Sequence, residues 1–462
     1  MDCDRELSPD DLTRIKRLFT DRTAGIDHDD YAGLSTALME AFKEHGRQLV
    51  YCEGEFRCFN SERGVFARVA DLEIQDLALD LIHKRGGTVS RLLSGMKSRA
   101  YVARSFFDVG RKAYTCIDVT IVLDLEDRDD PIKVERHSSR FRTLVAAPVT
   151  YQYGEGAKDD LNQFLEETIP DPIARERLFE LVGFALLGEG ARAQMMLMLL
   201  GEGANGKSVL INLIGGLFPT SQRTSVSPDE LTTDYGRAAL DGSRLNSLSE
   251  LDSLSKNELK WLKAAIGGDE MNARRVGGNG STLKPQALHI VATNEIPRLG
   301  KATVALERRI MMIRTPNIVP EDRRDPFLVE KLRHALPELL RMCLDAAERA
   351  LRRHWEGVER FPQSAQMISD AKLLFGADSI EDFITRRLVV TLDDDDRIHS
   401  PLLYTLYVEH CAEITAVPKT AVQLRAALGR RNVEVRKSNG YHYLLGIRLI
   451  DAEGGEGGKG IG

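Results

Sequence analysis

The chain has 462 residues, of which 42% are hydrophobic and 29% are charged, and its formal net charge is −7 at pH 7. This composition is typical of a globular protein with several domains, and the net negative charge excludes a uniformly basic surface for nucleic acid. The sequence has neither a long apolar run nor a signal peptide, which predicts a cytoplasmic protein without a membrane span. Its six cysteines are scattered, so we expect reduced thiols and not a metal site.

The chain divides into five predicted segments. Residues 1–46 predict an N-terminal helical extension, and residues 47–188 predict a domain that mixes short strands with helices. Residues 189–358 alternate strand-like and helical patterns. Residues 359–450 predict a smaller domain of helices with a closing strand pair. The glycine-rich residues 451–462 are predicted to be disordered.

The third segment carries the pattern of a parallel sheet. Its strand-like stretches are residues 194–200, 243–250, 287–294 and 308–315. Helical stretches separate them, and such alternation is typical of an α/β fold.

A glycine-rich stretch follows the first of these strands. Gly201, Gly206, Lys207 and Ser208 fit the pattern G-x-x-x-x-G-K-[ST]. Backbone N–H groups of such a loop bind phosphate, Lys207 would reach the outer phosphates of a nucleotide, and Ser208 would hold Mg²⁺. The predicted nucleotide-binding residues are Gly201, Glu202, Gly203, Ala204, Asn205, Gly206, Lys207, Ser208 and Val209. An accidental glycine-rich turn is the alternative, but the strand before and the helix after favour a phosphate loop.

Acidic residues follow the second strand. Glu250 could polarise an attacking water, and Asp252 could support Mg²⁺ through the metal's water shell. Two surface acids in a loop are the alternative interpretation.

Two further polar groups flank the last strands. Asn294 ends a β-branched strand and could hydrogen-bond a γ-phosphate or the attacking water, although an asparagine-initiated turn is the alternative. Arg309 precedes an apolar strand, and its guanidinium could stabilise the charge of a transition state. A solvated basic pair with Arg308 is the alternative.

The stretches GEGANGKS, SELD, LKAAIGGDEMNARR, HIVATNEIP and ERRI stand in this order. Together they resemble the superfamily 3 helicases of the phage, plasmid and poxvirus type, which often sit in primase–helicase proteins. The resemblance implies an AAA+-type P-loop core with a parallel sheet at residues 189–358. It also implies a mainly helical N-terminal domain before this core and a winged-helix-like domain at residues 359–450.

The same resemblance implies a hexameric ring that binds ATP and Mg²⁺ between subunits, with Arg309 reaching a neighbour's nucleotide. The ring would act on single-stranded or forked DNA during replication of a phage or mobile element in a bacterial cytoplasm. No primase module is visible in the sequence, so we expect priming or initiation by a separate protein.

Two basic regions are candidates for DNA contact. The stretch NARRVGGNGSTLK (272–284) fits a hairpin with a glycine-rich tip, and residues 420–447 read as a helix followed by strand–turn–strand. The candidate DNA-contacting residues in these regions are Arg274, Arg275, Lys284, Arg425, Arg430, Arg431, Arg436 and Lys437, and Lys263, which precedes the first region, is a further candidate. Ordinary surface charges on the hairpin and a small lid or protein-interaction domain are the alternatives.

The expected function is therefore that of an ATP-dependent, ring-forming DNA helicase. One alternative is an ATPase that binds or melts an origin without processive unwinding. Another is a P-loop protein that uses nucleotide only for assembly.

Overall fold

A computed structural model describes residues 7–27, 29–82, 87–152, 158–248, 251, 254–275, 277, 280–294, 308–374, 379–391, 393, 395–413, 418–438 and 440–450. The chain divides into two compact units. Unit 1 comprises residues 1–295 and 308–364, and unit 2 comprises residues 296–307 and 365–462. None of the helices within the described ranges is long and apolar enough to cross a bilayer.

Unit 1 contains most of the secondary structure. Its helices are α1 (Pro9–Thr23), α2 (Tyr31–Glu44), α3 (Asp71–Ile82), α4 (Gly87–Ala100), α5 (Lys158–Thr168), α6 (Pro172–Leu186), α7 (Lys207–Gly216), α8 (Asp234–Ala238), α9 (Lys256–Gly267), α10 (Leu328–Leu332) and α11 (Leu336–Trp355). Its strands are β1 (Leu49–Cys52), β2 (Glu55–Asn60), β3 (Val65–Val69), β4 (Ala113–Thr115), β5 (Thr120–Leu123), β6 (Ile132–Glu135), β7 (Met196–Leu200), β8 (Arg223–Thr224), β9 (Leu245–Leu248), β10 (Met271–Arg274), β11 (Gly280–Leu283), β12 (Leu288–Thr293) and β13 (Ile310–Arg314).

An apolar core in the N-terminal part of unit 1 extends across residue 46. Helices α1 and α2 contribute Ile15, Leu38 and Phe42, and α3 and β2 contribute Ile74 and Phe56, all of them buried. Strands β1–β2–β3 form one antiparallel sheet, and β4–β5–β6 form another.

A buried charge network fixes the start of α1. Ser8 caps this helix in a reciprocal capping box with Asp11. The Asp11 carboxylate also accepts hydrogen bonds from Arg47 at 2.6 and 3.0 Å and contacts His45 Nε2 at 2.8 Å. Burial opposes ionisation of Asp11, but the hydrogen bonds from Arg47 and Ser8 outweigh it, so the pKa of Asp11 lies well below its ordinary value of 3.8.

Replacing Asp11 with asparagine is expected to lower the free energy of unfolding by about 3 kcal/mol, because Arg47 would be left buried without its carboxylate. Urea denaturation followed by circular dichroism measures this change. Asp10→Asn is the matched control, since Asp10 is exposed in the same helical turn. Because the folded-state pKa of Asp11 is lowered, its stabilisation is complete above about pH 4 and is lost as the pH falls further. Equal unfolding free energies for the two variants would contradict this assignment.

Unit 1 also contains a five-stranded parallel sheet in the order β13-β7-β12-β9-β8, so the predicted parallel α/β sheet is confirmed. All five residues of β7 are buried, as expected for an inner strand covered on both faces. The strand begins at Met196 and not at the predicted Gln194, because Gln194 has a left-handed backbone (φ 53°) at the end of a 3-10 turn. Strand β8 has only two residues and was not predicted.

Helices α6 and α11 pack closely beside this sheet. A Cβ atom at Gly183 of α6 would lie 2.1 Å from the carbonyl oxygen of Cys343, so this helix pair requires glycine at the point of contact. Glu180 of α6 is fully buried and pairs with Arg177 and with Arg353 of α11. Burial raises the pKa of Glu180 to about 7 despite the two guanidinium groups.

Unit 2 is a smaller α/β body. It contains α12 (Ala365–Leu374), α13 (Ser379–Arg387), β14 (Leu388–Val390), β15 (Arg397–His399), α14 (Ser400–Glu413), α15 (Ala421–Gly429), β16 (Val435–Ser438), β17 (Tyr441–Leu445) and β18 (Ile447–Leu449). The last helix is followed by the predicted hairpin, β16–β17, and β15 extends this hairpin to three antiparallel strands. Phe383, Tyr407 and Leu428 lie in its core.

Candidate functional site

The glycine-rich stretch connects β7 to α7, as the sequence predicts. We call residues 201–208 the phosphate loop. Two of its residues have left-handed backbones, Ala204 at φ 60° and Gly206 at φ 84°. A Cβ atom at Gly206 would lie 2.8 Å from Thr168 Oγ1, so the loop is tight here. Residues 202–204 and Ser208 are exposed, which leaves the outer side of the loop and the start of α7 open to a ligand.

Lys207 lies at the centre of the phosphate loop and is only 6% exposed. Its ammonium group donates to the carbonyl oxygens of Gly201 and Glu202, the latter at 3.1 Å. It also contacts Oδ1 of Asn205 at 3.0 Å and Oδ1 of Asn294 at 3.2 Å. Burial lowers the pKa of Lys207. The Lys207 ammonium is thus surrounded by neutral oxygens. A negatively charged acceptor would form stronger hydrogen bonds with it and could replace them.

Asn205 anchors the phosphate loop to the neighbouring strand. This side chain is 3% exposed, and its amide donates to the carbonyl oxygen of Thr315 at 2.8 Å and to Thr315 Oγ1 at 2.9 Å. Thr315 directly follows β13, and its N–H donates to the carbonyl of Leu200 at the end of β7. Sequence reasoning missed Thr315, although a polar residue directly after a buried strand of this sheet was a usable signal.

The polar residues predicted around the loop are only partly described. Asn294 is exposed at the carboxyl end of β12, next to β7, and contacts Lys207, so the structure brings these two predicted residues together. Glu250 and Asp252 lie outside the described residues. The part of β9 that is described ends at Leu248 on the same edge of the sheet. Among the described residues, no group of three or more His, Cys, Asp or Glu side chains could hold a metal ion.

This arrangement fits the triphosphate part of a nucleotide. Exposed backbone N–H groups of a loop that leads into a helix form an anion site, and Lys207 adds a positive charge inside it. A Cβ atom at Gly201 would lie 2.3 Å from Asn205 Nδ2 and from the Thr315 carbonyl oxygen, so glycine is required to keep this cradle compact. Ser208 stands exposed in the first turn of α7, where its hydroxyl can reach a metal bound to the phosphates.

Arg309 lies at the amino-terminal end of the parallel strands, whereas the phosphate loop lies at their carboxyl-terminal end. Its carbonyl oxygen accepts a hydrogen bond from the N–H of Met196, the first residue of β7, whereas the phosphate loop follows the last residue of β7. Four strand residues at about 3.3 Å each separate the two levels by roughly 13 Å. The Arg309 guanidinium donates to the carbonyl of Lys263 at 3.4 Å, and its Nε has no hydrogen-bond partner among the described residues. Arg309 and Lys207 are therefore not brought together within one chain.

The predicted basic hairpin is present as β10–β11, with Met271 paired to Leu283 and Arg274 to Gly280. Arg274 and Lys284 are exposed, and Lys263 is half-buried in α9. Arg275 forms an ion pair with Asp241 at 2.9 Å. Val276, Gly278 and Asn279 at the tip lie outside the described residues.

The predicted basic residues of unit 2 lie on the last helix and the hairpin that follows it. Those that are exposed are Arg425, Arg430, Arg436 and Lys437, and Arg431 is half-buried. The Arg425 guanidinium donates to the carbonyl of Ala421 at 3.3 Å. Asn439 of the predicted turn lies outside the described residues, and Gly440 has φ 85°.

Comparison with known proteins gives two findings. A profile described as "Family of unknown function (DUF5906)" matches residues 199–309, a segment that begins in β7 and ends at Arg309. The structure is similar to the A-form apo structure of the NrS-1 C-terminal region, with 12% sequence identity, a TM-score of 0.44 and coverage of 88% of this chain and 98% of that chain. It is also similar to an apo structure of the same region, with 11% identity, a TM-score of 0.44 and coverage of 89% and 98%. No curated protein matches this chain.

Proposed function

We propose that this protein is an ATP-dependent, ring-forming DNA helicase with an AAA+-type P-loop core. The observation that carries the proposal is the position of Lys207, a buried ammonium held at the centre of a glycine-rich loop between a buried strand and a helix. A buried lysine with only neutral oxygens as hydrogen-bond partners among the described residues is costly in the free protein. A polyphosphate would offset that cost.

Different groups of the phosphate loop would bind different parts of the nucleotide. Backbone N–H groups of residues 202–206 would bind its phosphates, Lys207 would bind the outer ones, and Ser208 would bind Mg²⁺. Bound Mg²⁺–ATP would supply the bond to be cleaved and the metal charge that neutralises the phosphates. Asn294 already contacts Lys207 and would orient the attacking water or the γ-phosphate.

The position of Arg309 supports a site shared between subunits. Because this residue lies about 13 Å away along the strand from its own phosphate loop, it would act on the nucleotide of an adjoining subunit. A guanidinium supplied in this way stabilises the negative charge that develops on the transferred phosphate. We infer that the subunits form a closed ring, for which six members are the family expectation.

Two assays separate the helicase from its alternatives. The helicase proposal expects Mg²⁺-dependent ATP hydrolysis that single-stranded DNA stimulates, together with displacement of a labelled strand from forked DNA. Hydrolysis without strand displacement would favour an origin-melting ATPase. Nucleotide-dependent assembly without hydrolysis would favour a P-loop protein that uses nucleotide only for assembly.

The β10–β11 hairpin is the proposed DNA contact in the core. Replacing the exposed Arg274 with alanine is expected to weaken binding to single-stranded DNA of every sequence, because a phosphate contact carries no base specificity. The slope of log affinity against log salt should become shallower by about 0.7 if one phosphate contact is lost. Fluorescence anisotropy with labelled dT and mixed-sequence oligonucleotides, over a series of salt concentrations, measures both effects. Arg323→Ala, at another exposed arginine of unit 1, is the control, and an unchanged slope in the Arg274 variant would remove the hairpin from the DNA contact.

Unit 2 is proposed to be a winged-helix-like DNA-binding domain. The support is the sequence of a helix, α15, and a hairpin, β16–β17, with exposed arginine and lysine side chains on both. In such a domain the helix enters a groove and the hairpin contacts the phosphate backbone.

A further inference from the structure

Unit 1 contains a second concave site that shares none of its lining residues with the phosphate loop. We call it the inner pocket. It has a volume of about 300 Å³, which falls in the range of small-ligand sites. Its lining residues come from six stretches of chain and one single residue. These are residues 52–57, 104–113, 142–145, 221–222, 241–244 and 284–286, together with Gly188.

The charges that line the inner pocket are mainly positive, in a protein whose net charge is negative. Five cationic side chains face three carboxylates. The cations are Arg57, Arg104, Arg142, Arg244 and Lys284, and the carboxylates are Glu53, Asp108 and Asp241. Asp241 is already paired with Arg104 at 2.8 Å and with Arg275 at 2.9 Å. Arg104 also pairs with Glu53 at 3.5 Å, and Arg57 pairs at 3.3 Å with Glu55, which does not line the pocket. The lining still carries two more cations than carboxylates, and this surplus favours an anionic ligand.

One of these cations is fixed in the wall of the pocket. Arg244 is 4% exposed, and its guanidinium donates to the carbonyl oxygens of Leu186 and Ala113, the latter at 2.7 Å. Burial lowers the pKa of Arg244 to about 10, so the group remains protonated at neutral pH. A charge held rigidly in this way does not need to be ordered when a ligand binds, which reduces the entropic cost of binding.

A second cation is held by unusual local geometry. Arg142 has a left-handed backbone at φ 52°, and its guanidinium lies 4.2 Å from the centre of the Phe106 ring. Such a backbone is uncommon for a residue other than glycine. The stacking fixes the direction of the arginine side chain, since a guanidinium binds well to an aromatic face.

Apolar groups line the rest of the pocket. Phe107 and Val145 contribute an aromatic ring and an aliphatic wall, and Leu144 is 39% exposed at this site. A ligand that suits all of these groups has a flat or apolar body and one strongly acidic group. A nucleotide combines a base with a phosphate, and arginine is the side chain best shaped to bind phosphate.

We propose that the inner pocket binds a phosphate-bearing ligand of mononucleotide size, with the phosphate held by Arg57, Arg142 and Arg244. Such a nucleotide can be free or can be the 5′ end of a single strand. Lys284 lines the pocket directly after β11, and Arg275 of the same hairpin is paired with the pocket carboxylate Asp241. The pocket therefore adjoins the proposed DNA contact. Binding of a ligand in the pocket does not depend on ATP hydrolysis at the phosphate loop.

The test uses full-length protein that carries Lys207→Ala, so that the phosphate loop does not contribute to the signal. Fluorescent ethenoadenosine monophosphate is one probe, and a labelled short dT oligonucleotide with or without a 5′ phosphate is the other. Replacing Arg57 and Arg142 together with glutamine is expected to lower the affinity for the bound probe at least about tenfold. Lys284→Gln, at an exposed position where the fold is not at risk, is expected to lower it severalfold.

Arg68→Gln is the matched control. Arg68 lies directly opposite Arg57 in the β2–β3 register and pairs with Glu55 as Arg57 does, but it does not line the pocket. Binding of the monophosphate identifies a free nucleotide as the ligand. Binding of only the 5′-phosphorylated oligonucleotide, sensitive to the pocket variants but not to Arg68→Gln, identifies a strand end. If neither probe binds, or if the pocket variants bind like the control, the proposal is wrong, whatever the ATPase assays of the wild-type protein show.

Discussion

Lys207→Ala is expected to lower the rate of ATP hydrolysis by at least about 100-fold, because it removes the one positive charge at the centre of the phosphate loop. Its present partners are neutral oxygens of Gly201, Glu202, Asn205 and Asn294, so the substitution leaves no buried carboxylate without a partner among the described residues. The folded state should therefore survive the change. Steady-state phosphate release with Mg²⁺ and single-stranded DNA measures the loss, and a thermal melt checks the fold.

Lys256→Ala is the control for this variant. Lys256 is an exposed lysine at the start of α9, and its loss removes the same charge from the same unit without touching the phosphate loop. Hydrolysis by the control should stay near the wild-type rate. A Lys207→Ala protein that still hydrolyses ATP within tenfold of the wild type, or that still displaces a strand from forked DNA, would overturn the proposed role of the loop.

Arg309→Ala is expected to leave nucleotide binding within severalfold of the wild type and to reduce turnover by about 1,000-fold or more. The reason is geometric, since Arg309 lies level with the first residue of β7 and cannot reach the phosphate loop of its own chain. Nucleotide affinity and single-turnover hydrolysis, measured on the same preparation, separate the two effects. Arg308→Ala is the matched control, because Arg308 is the exposed neighbour and its loss removes the same charge.

Mixing the two inactive proteins tests whether the site is shared. In an equal mixture of Lys207→Ala and Arg309→Ala subunits, about one quarter of random interfaces combine an intact Lys207 with an intact Arg309 from the neighbour. Activity should therefore reappear on mixing, to about one quarter of the wild-type rate. If no ratio of the two proteins restores hydrolysis, Arg309 does not act on an adjoining subunit.

The sequence predicted the parts of the fold that local pattern determines. The buried β7, the phosphate loop and the start of α7 follow from an apolar run, a glycine-rich stretch and a second apolar run. The parallel sheet followed from the alternation of strands and helices, and the structure confirms it. The short strand β8 was missed, because its two residues carry no period that sequence can reveal.

Contacts between distant residues could not be predicted. Asn205 was assigned to the nucleotide site from its place in the motif, but its hydrogen bonds to Thr315 join positions 110 residues apart. The opposite placement of Lys207 and Arg309 depends on the register of β13 against β7. The inner pocket could not be predicted for the same reason, since Arg57, Arg142 and Arg244 line one pocket only after the chain has folded.

Lys207 and Arg309 lie at opposite ends of the strands of one sheet, and this placement bears on how copies of the chain could associate to complete a shared nucleotide site. In a two-fold dimer both reciprocal contacts fall in one interface, so a single surface patch would have to contain both the guanidinium and the cradle, which lie about 13 Å apart along the strand. In a head-to-tail arrangement each copy instead offers its guanidinium to one neighbour and receives a guanidinium from the other. In an open series of this kind, the number of complete sites is one fewer than the number of copies. When the last copy contacts the first, the ring closes and the remaining site is completed.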